Sequence, residues 1–359
     1  MTIYVVLLLT ILILYIPLFD VKFKRYKRTF IILSFSCMIL VLGLRGRSVG
    51  EDTSAYLSMF RVVQNTSWNQ LMKGGLSFSW TQWGEDVEIL FAILFKVISV
   101  FTDEPQYAIF ITAMISYALF AHFIYKNCND HVLFSTLIVL CNGVFMSSFN
   151  SCRQILALAI AINGYTLLRE KKYIKVAEVF LISFLVHFSS VILLPLFLVS
   201  LLKNRRKIIT VSAIVAVVMA VSVPFLSTIV NRFFPVYSVY LEIAKWNVSL
   251  GGTIFLWIAE IIVCIMLYTK GVENEFEFLG VLGVIFSIAF GVASLRTSVF
   301  SRVSVYFSFF NIILFPIAGD RIQSKSIRYL YRILIFTLIF LQYLSAASTP
   351  SREYFFFWQ

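Results

Sequence analysis

The sequence has few charged residues. Only 13% of its 359 residues are Asp, Glu, Lys or Arg, whereas about 25% is usual in soluble globular domains. Apolar residues make up 60% of the chain, and the mean hydropathy is +0.89. This composition excludes a soluble globular enzyme.

Cysteine and histidine are also scarce. The five cysteines form no C-x-x-C pair, and the three histidines have no metal-ligand spacing. Neither a disulfide framework nor a zinc site is therefore expected. The chain has no P-loop and no G-x-G-x-x-G motif, and its acidic residues are thinly spread. We expect no metal, no other cofactor and no nucleotide site.

Long apolar runs are what the sequence has in quantity. A membrane-spanning helix needs about 20 mostly apolar residues, and such runs follow one another along nearly the whole chain. They lie near 2–19, 29–44, 87–101, 106–125, 131–147, 154–168, 173–186, 188–202, 208–226, 253–269, 278–294, 303–318 and 330–346. The pattern predicts an all-α, polytopic integral membrane protein with roughly ten to thirteen transmembrane helices. We expect a single transmembrane domain over residues 1–359.

Basic clusters between the runs predict the orientation. Cytoplasmic loops of membrane proteins collect Lys and Arg, which accounts for the net charge of +12 without a nucleic-acid partner. The clusters lie near 22–28, 169–175, 203–207 and 321–328. With these in the cytoplasm, the loops of about 45–86 and 227–252 lie outside and contribute to the active-site face. The turn near His187 and the C-terminal tail lie outside as well.

One run does not fit this topology. An even number of crossings must separate the 45–86 loop from Arg153, yet three runs lie between them. The run near 87–101 is the shortest and contains Glu88 and Lys96. Short runs are often re-entrant or interfacial, so we predict that this one does not cross. A wrong division of another run is the alternative.

Arginines mark the predicted outer ends of several runs. They are Arg45, Arg47, Arg153, Arg296 and Arg302. Because the planar guanidinium matches phosphate oxygens, these residues predict a site for a diphosphate head group, with Gln154 and Tyr56 as further contacts. The alternative is that the arginines only anchor helices at the membrane interface.

Three other ionisable residues are candidates for acid–base chemistry. His187 lies in FLVHFSSVILLP, Asp52 follows the first arginines, and Glu88 begins an apolar run. Ionisable groups beside hydrocarbon are rare and often functional. The alternatives are that His187 is a satisfied core residue and that Glu88 is a partner for Lys96 or a nearby arginine. The choice of base among the three stays open.

The string LRGRSVGEDTSAY resembles the Arg…Val-Gly-x-Asp-Thr…Tyr signature of EpsG-like and Wzy-type polysaccharide polymerases. The strings VEILFAIL, CRQILALAI, LVHFSSVILLP and RVSVYFSFFNIILFP follow in the order and at the approximate spacing of that family. The resemblance covers about residues 40–318. Arg47 departs from the pattern, because a less charged residue is expected between Arg45 and Val49.

The resemblance implies an O-antigen or exopolysaccharide polymerase of the bacterial inner membrane, with its active face toward the periplasm. Such an enzyme transfers a glycan chain from undecaprenyl diphosphate to a sugar hydroxyl of another lipid-linked repeat unit. It uses no nucleotide sugar and no metal. Its expected partners are the undecaprenyl-diphosphate-linked oligosaccharide and membrane lipid; a chain-length regulator is left open. We expect Arg45, Arg153 and Arg302 to bind the diphosphate, with Arg296 as a further candidate. The expected base is His187, Asp52 or Glu88.

Three other functions compete with this one. A lipid-linked oligosaccharide flippase would also have many helices, but transporters usually carry internal repeats and midplane charges. An O-antigen ligase uses the same donor. A chain that resembles this family would have a large external loop in its second half, whereas the loop near 227–252 is short. In a structural or assembly protein, the arginines would be interface anchors only.

Overall fold

The computed structural model describes residues 1–19, 26–81, 86–128, 130–200, 202–233, 252–295 and 299–359. Contacts along the chain divide it into two compact units. The first comprises Met1–Thr136, Met146–Leu194 and Ala347–Gln359, and the second comprises Leu137–Phe145 and Pro195–Ala346.

Most of the described residues are helical. Up to residue 200 the helices are α1 Thr2–Tyr15, α2 Lys27–Gly43, α3 Thr53–Asn65, α4 Trp68–Lys73, α5 Ile89–Ile98, α6 Gln106–Asn127, α7 Val132–Cys141, α8 Val144–Ser147, α9 Cys152–Arg169, α10 Tyr173–Val186 and α11 Leu193–Ser200. They continue as α12 Arg205–Phe233, α13 Thr253–Lys270, α14 Glu275–Ser294, α15 Val299–Ser308, α16 Asn311–Asp320 and α17 Lys325–Ala347. Short 3-10 helices lie at Ile16–Phe19, Phe188–Ile192 and Pro350–Arg352. Strands β1 Ser77–Ser79 and β2 Asp86–Glu88 form an antiparallel pair.

The helices confirm an all-α polytopic membrane protein. Within the described ranges, α6, α13, α14 and α17 are long and apolar enough to cross a membrane. Residues Phe300–Ser308 and Asn311–Asp320 add a fifth span if this pair, bent by 44°, counts as one. Several other apolar runs form shorter helices, among them α1, α5 and α7. For example, the run near 131–147 is divided into α7 and α8 at Gly143, which has φ +97°.

Helix α5 is short for a membrane crossing. Its ten residues span about 15 Å, half of the roughly 30 Å hydrocarbon core. Glu88, just before α5, contacts Arg153 at the start of α9. Gln106, which begins α6 after the connection 99–105, donates from Nε2 to the carbonyl of Arg45 at 3.0 Å. Since Arg45 in turn contacts Cys152, the segment from Glu88 to Gln106 starts and finishes at the same end of the first unit.

The first unit therefore has two chemically different ends. Helix α2 packs against α6, α6 against α9, and α9 against α10. We call the end that holds Arg45, Gln106 and Arg153 the site end. The opposite end, here the basic end, holds Lys27, Arg28, Lys126 and Arg169.

The C-terminal tail folds back onto the site end. The amide of Phe357 donates to the carbonyl of Leu44 at 3.0 Å, and the amide of Gly46 donates to the carbonyl of Phe355 at 2.7 Å. The Tyr4 hydroxyl donates to the carbonyl of Arg352 at 2.9 Å. The first two bonds attach the tail to the segment that opens the predicted 45–86 loop, and the third attaches it to α1. That loop is itself structured, since it contains α3, α4 and both strands.

Candidate active site

Glu88 is placed by a hairpin and by the helix that follows it. In the β1–β2 pair, Ser77 is opposite Glu88 and Phe78 is opposite Val87. Val87 is fully buried and packs in a core with Phe91, Phe95 and residues of α3. Because successive strand side chains point to opposite faces, this packing of Val87 directs Glu88 to the other side, toward α9 and α10.

Glu88 has both carboxylate oxygens engaged. Arg153 donates from Nη1 to Oε2 at 2.8 Å, and Nδ1 of His187 lies 2.6 Å from Oε1. The backbone amide of Phe188 also donates to Oε1, at 3.2 Å. The carboxylate side chain is only 7% exposed. A buried carboxylate with three donors is held rigidly and remains ionised.

The pKa of Glu88 reflects these contacts. Burial raises the pKa, but the hydrogen bond and charge of His187, together with the charge of Arg153, outweigh burial and lower it from 4.5 to about 2. A carboxylate of such low proton affinity is a poor general base near neutral pH. Glu88 is therefore better suited to orienting its neighbours than to accepting a proton.

His187 lies at a break between two helices. It ends α10 with extended backbone angles, φ −160° and ψ 114°, and the 3-10 helix Phe188–Ile192 follows. The first amides of a helix have no partner within it, and Glu88 satisfies that of Phe188. With Nδ1 turned toward Glu88, the Nε2 atom is the ring nitrogen that remains for chemistry. This is the arrangement in which a carboxylate fixes the tautomer and orientation of an imidazole.

Arg153 lies in the first turn of α9, beside Gln154. Its Nη1 donates to Glu88 and to the carbonyl of Asp86 at 3.3 Å, and its side chain also hydrogen-bonds to Tyr56. Burial raises the pKa of Tyr56 to about 12, so the phenol stays protonated. Gln154 is 3% exposed. The structure thus brings Tyr56, Glu88, Arg153 and His187 into one cluster at the site end.

Arg45 is enclosed within the protein. The residue is 1% exposed, and its guanidinium donates to the hydroxyl of Thr53, the carbonyls of Leu42 and Phe149, and the sulfur of Cys152. It also lies over the ring of Phe149, 5.5 Å from the centroid. Direct contact with a diphosphate, as the sequence predicts, would require these bonds to open.

The Val-Gly-x-Asp-Thr part of the motif forms part of the surroundings that enclose the Arg45 side chain. Thr53 donates to the carbonyl of Val49 at 2.6 Å while accepting from Arg45. Gly50 has φ +88°, and a Cβ there would lie 2.4 Å from the carbonyl oxygen of Phe149. Only glycine fits this backbone position. Asp52 is the N-cap residue of α3, and its carbonyl accepts the amide of Tyr56.

Arg47 lines an open groove instead. The groove has a volume of about 640 Å³ and lies between residues 46–54 and the C-terminal tail. Its polar side chains include Arg47, Glu51 and Gln359, and its aromatic ones include Phe355 and Phe357. Aromatic faces beside hydrogen-bonding groups are a common composition of sugar-binding surfaces.

The remaining predicted residues do not join this cluster within the first unit. Arg302 lies on α15, in the second unit, with an exposed side chain. Arg296 lies outside the described residues, as does most of the predicted loop near 227–252. Over the described ranges, no group of three or more His, Cys, Asp or Glu residues could hold a metal ion.

Sequence reasoning missed several members of the site. Thr53, Cys152, the amide of Phe188 and the C-terminal tail were not among the predicted site residues. Thr53 could have been found, because it belongs to the motif and a threonine hydroxyl often donates to the carbonyl four residues earlier, as it does here to Val49. The contacts of Cys152 and of the tail join distant segments and leave no local signal.

Comparison with known proteins gives one match. The sequence profile of the EpsG family matches residues 28–358, nearly the whole chain. No curated protein and no solved structure matches.

Proposed function

Because the chain belongs to the EpsG family, we propose that it is a membrane polysaccharide polymerase working on lipid-linked repeat units. Family membership indicates polysaccharide polymerisation in general. The finer proposal is that a glycan chain leaves undecaprenyl diphosphate and is joined to a sugar hydroxyl of a second lipid-linked unit. The reaction takes place at the periplasmic face of the bacterial inner membrane.

The pairing of Glu88 with His187 is the observation that carries this proposal. The acceptor hydroxyl attacks the anomeric carbon of the donor, and the bond from that carbon to the diphosphate oxygen breaks. The electron pair leaves with the diphosphate, and the hydroxyl proton passes to Nε2 of His187. Glu88 is a positioning residue that stabilises the resulting imidazolium through Nδ1. Asp52 remains the second candidate for the base.

The leaving diphosphate is acidic and needs charge stabilisation more than protonation. Arg153 is held by Glu88 and Tyr56 next to His187, and arginine has five N–H donors, of which these contacts use only some. We assign it to the diphosphate, since fixed cationic donors in a partly dry site stabilise developing charge. Arg47 and Gln154, which belong to the same unit, are further candidates. We assign Arg45 a structural role, because its buried hydrogen bonds stabilise the fold of the motif.

The groove between residues 46–54 and the tail is proposed to bind the glycan. Phe355 and Phe357 are 43% and 44% exposed there, so their rings are open to a sugar. Arg47, Glu51 and Gln359 supply hydrogen-bonding groups. The groove belongs to the same unit as the Glu88 cluster.

The test is a reconstituted reaction. The full chain in liposomes receives an undecaprenyl-diphosphate-linked repeat unit, and polymer length and released undecaprenyl diphosphate are both measured. Wild type should form a ladder, and His187→Ala should form none while remaining folded in the membrane. Arg61→Ala, which changes an exposed arginine on α3, serves as the control. A second reaction also contains a lipid A core acceptor. If wild type forms no ladder but transfers the repeat unit to this acceptor, the protein is a ligase.

A flippase is the second candidate, and one feature of the second unit favours it. Glu260, in the middle of α13, is fully buried and accepts hydrogen bonds from Ser287 and from Asn311, both at 2.8 Å. Asn311 begins the half-helix after the bend. Broken helices and buried ionisable residues are typical of transporters. Protein-dependent movement of the lipid-linked unit across liposomes, without any change in glycan length, would support the flippase.

A further inference from the structure

A groove runs along the outside of α2 and α6 at the basic end of the first unit. Its volume is about 480 Å³. Its polar lining residues are Arg28, Ser36, His122, Tyr125 and Lys126. None of these residues belongs to the Glu88 cluster, which lies at the site end. The proposed polymerase reaction therefore gives this groove no role.

The charge of the groove is positive. Arg28 and Lys126 are both exposed, and neither forms a salt bridge to any residue that the structure describes. Of the neighbouring acids, Asp130 lies 3.9 Å from Lys27. Glu170 pairs with Lys172, and Lys126 interacts with it only through a weaker electrostatic attraction. Among the described residues, no acidic side chain lines the groove. A negatively charged group is therefore the complementary ligand.

The remainder of the groove is apolar, and its length along α2 can be compared with the thickness of one membrane leaflet. Its floor on α2 runs through Ile31, Ile32, Phe35 and Ile39, and Ala118 and Ala121 of α6 face them. At 1.5 Å per residue, Arg28 and Ile39 are separated by about 16 Å along α2. This is about half of the roughly 30 Å hydrocarbon core of a bilayer. The groove thus has a cationic end and an apolar path one leaflet long.

We propose that this groove binds an anionic phospholipid of the leaflet at the basic end. Arg28 and Lys126 hold the phosphate, and an acyl chain lies along Ile32 and Ile39. Basic pockets between transmembrane helices at the cytoplasmic side are suited to such head groups, and the basic clusters predict that this end is cytoplasmic. The site is separate from the proposed reaction and stands whether or not the chain is a polymerase.

Native mass spectrometry of the purified full chain tests the proposal. The protein is released from liposomes that contain equal amounts of dioleoylphosphatidylglycerol and dioleoylphosphatidylcholine. Wild type should retain the anionic lipid with about a tenfold preference, equivalent to about 1.4 kcal/mol. The double variant Arg28→Gln and Lys126→Gln should show near-equal retention. Arg28→Lys with Lys126→Arg, which keeps both charges, should keep the preference.

Two controls make the result specific. Lys175→Gln with Lys207→Gln removes the same charge from exposed positions outside the groove and should leave the preference intact. Ala118→Trp keeps the charges but fills the apolar path, and should reduce retention of the anionic lipid. Equal loss in the Lys175 and Lys207 variant would overturn the proposal, since it would show general charge attraction. Equal retention of both lipids by wild type, or displacement of the phospholipid by undecaprenyl phosphate, would also overturn it.

Discussion

Nδ1 of His187 lies 2.6 Å from Oε1 of Glu88, although 99 residues separate the two along the chain. The same carboxylate binds Arg153 through its other oxygen. One buried anion therefore fixes both the residue assigned to proton transfer and the residue assigned to the diphosphate. Substitutions at these positions should not act independently.

Coupling between Glu88 and His187 is the first prediction. His187→Gln should slow release of undecaprenyl diphosphate by about 100-fold or more, because a general base contributes at least that much. Glu88→Gln should slow it by about 10- to 100-fold, as expected for a residue that orients a reacting group. Initial rates in liposomes measure both effects.

The double variant then separates positioning from a structural role. If Glu88 acts through His187, combining the two changes should be no worse than His187→Gln alone. Glu104→Gln, at an exposed position, provides the matched control. Multiplied losses in the double variant would show that Glu88 contributes independently of His187.

The second prediction concerns stability at acidic pH. Since the pKa of Glu88 is lowered from 4.5 to about 2 in the folded state, its ionised form stabilises the fold fully above about pH 4.5. That contribution should disappear as the pH falls toward about 2, because the protonated side chain no longer pairs with Arg153. The difference of about 2.5 pKa units corresponds to a contribution of about 3 kcal/mol.

Unfolding in detergent at several pH values measures this effect. The difference in unfolding free energy between wild type and Glu88→Gln should shrink across that pH range. For Glu104→Gln the difference from wild type should stay flat. A constant gap between wild type and Glu88→Gln would mean that ionisation of Glu88 does not stabilise the fold.

The third prediction contrasts two neighbouring arginines. Arg45→Ala should lower the free energy of unfolding by about 2–4 kcal/mol, because it leaves a cavity and the buried acceptors of Arg45 unpaired. Arg47→Ala should leave stability within about 0.5 kcal/mol, since the side chain is exposed. Its effect should instead be on polymer formation.

Thermal unfolding and the polymer ladder, measured on the same preparations, separate the two outcomes. A stable but inactive Arg45→Ala protein would restore a direct role for this residue at the diphosphate. A fully active Arg47→Ala protein would remove Arg47 from the glycan groove.

Hydropathy was sufficient to predict an all-α polytopic membrane protein, because bilayer thickness dictates the length of an apolar helix. It did not give the lengths of the helices, since the described residues contain four or five that are long and apolar enough to cross, against the ten to thirteen predicted. The even number of crossings before Arg153 predicted that the run near 87–101 does not cross, and the ten residues of α5 are consistent with this prediction. Local sequence could not reveal that Glu88 contacts both Arg153 and His187, since these pairings join segments 65 and 99 residues apart. The arginine at position 45 was recognised, but its burial was not, because burial depends on where Phe149 and Cys152 fold.

The last prediction concerns the close contact between Gly50 of the motif and the carbonyl oxygen of Phe149. Gly50 and Gly75 both have positive φ, +88° and +70°. A Cβ at Gly50 would lie 2.4 Å from the carbonyl oxygen of Phe149, whereas a Cβ at Gly75 would meet nothing within 4 Å.

Both Ala variants bear the backbone strain of a left-handed residue, about 1 kcal/mol. Only Gly50→Ala must also move Phe149, on which the guanidinium of Arg45 rests. Its free energy of unfolding should therefore fall by about 2 kcal/mol more than that of Gly75→Ala. Equal destabilisation, measured by thermal unfolding in detergent, would show that the motif glycine is required only for its backbone angles.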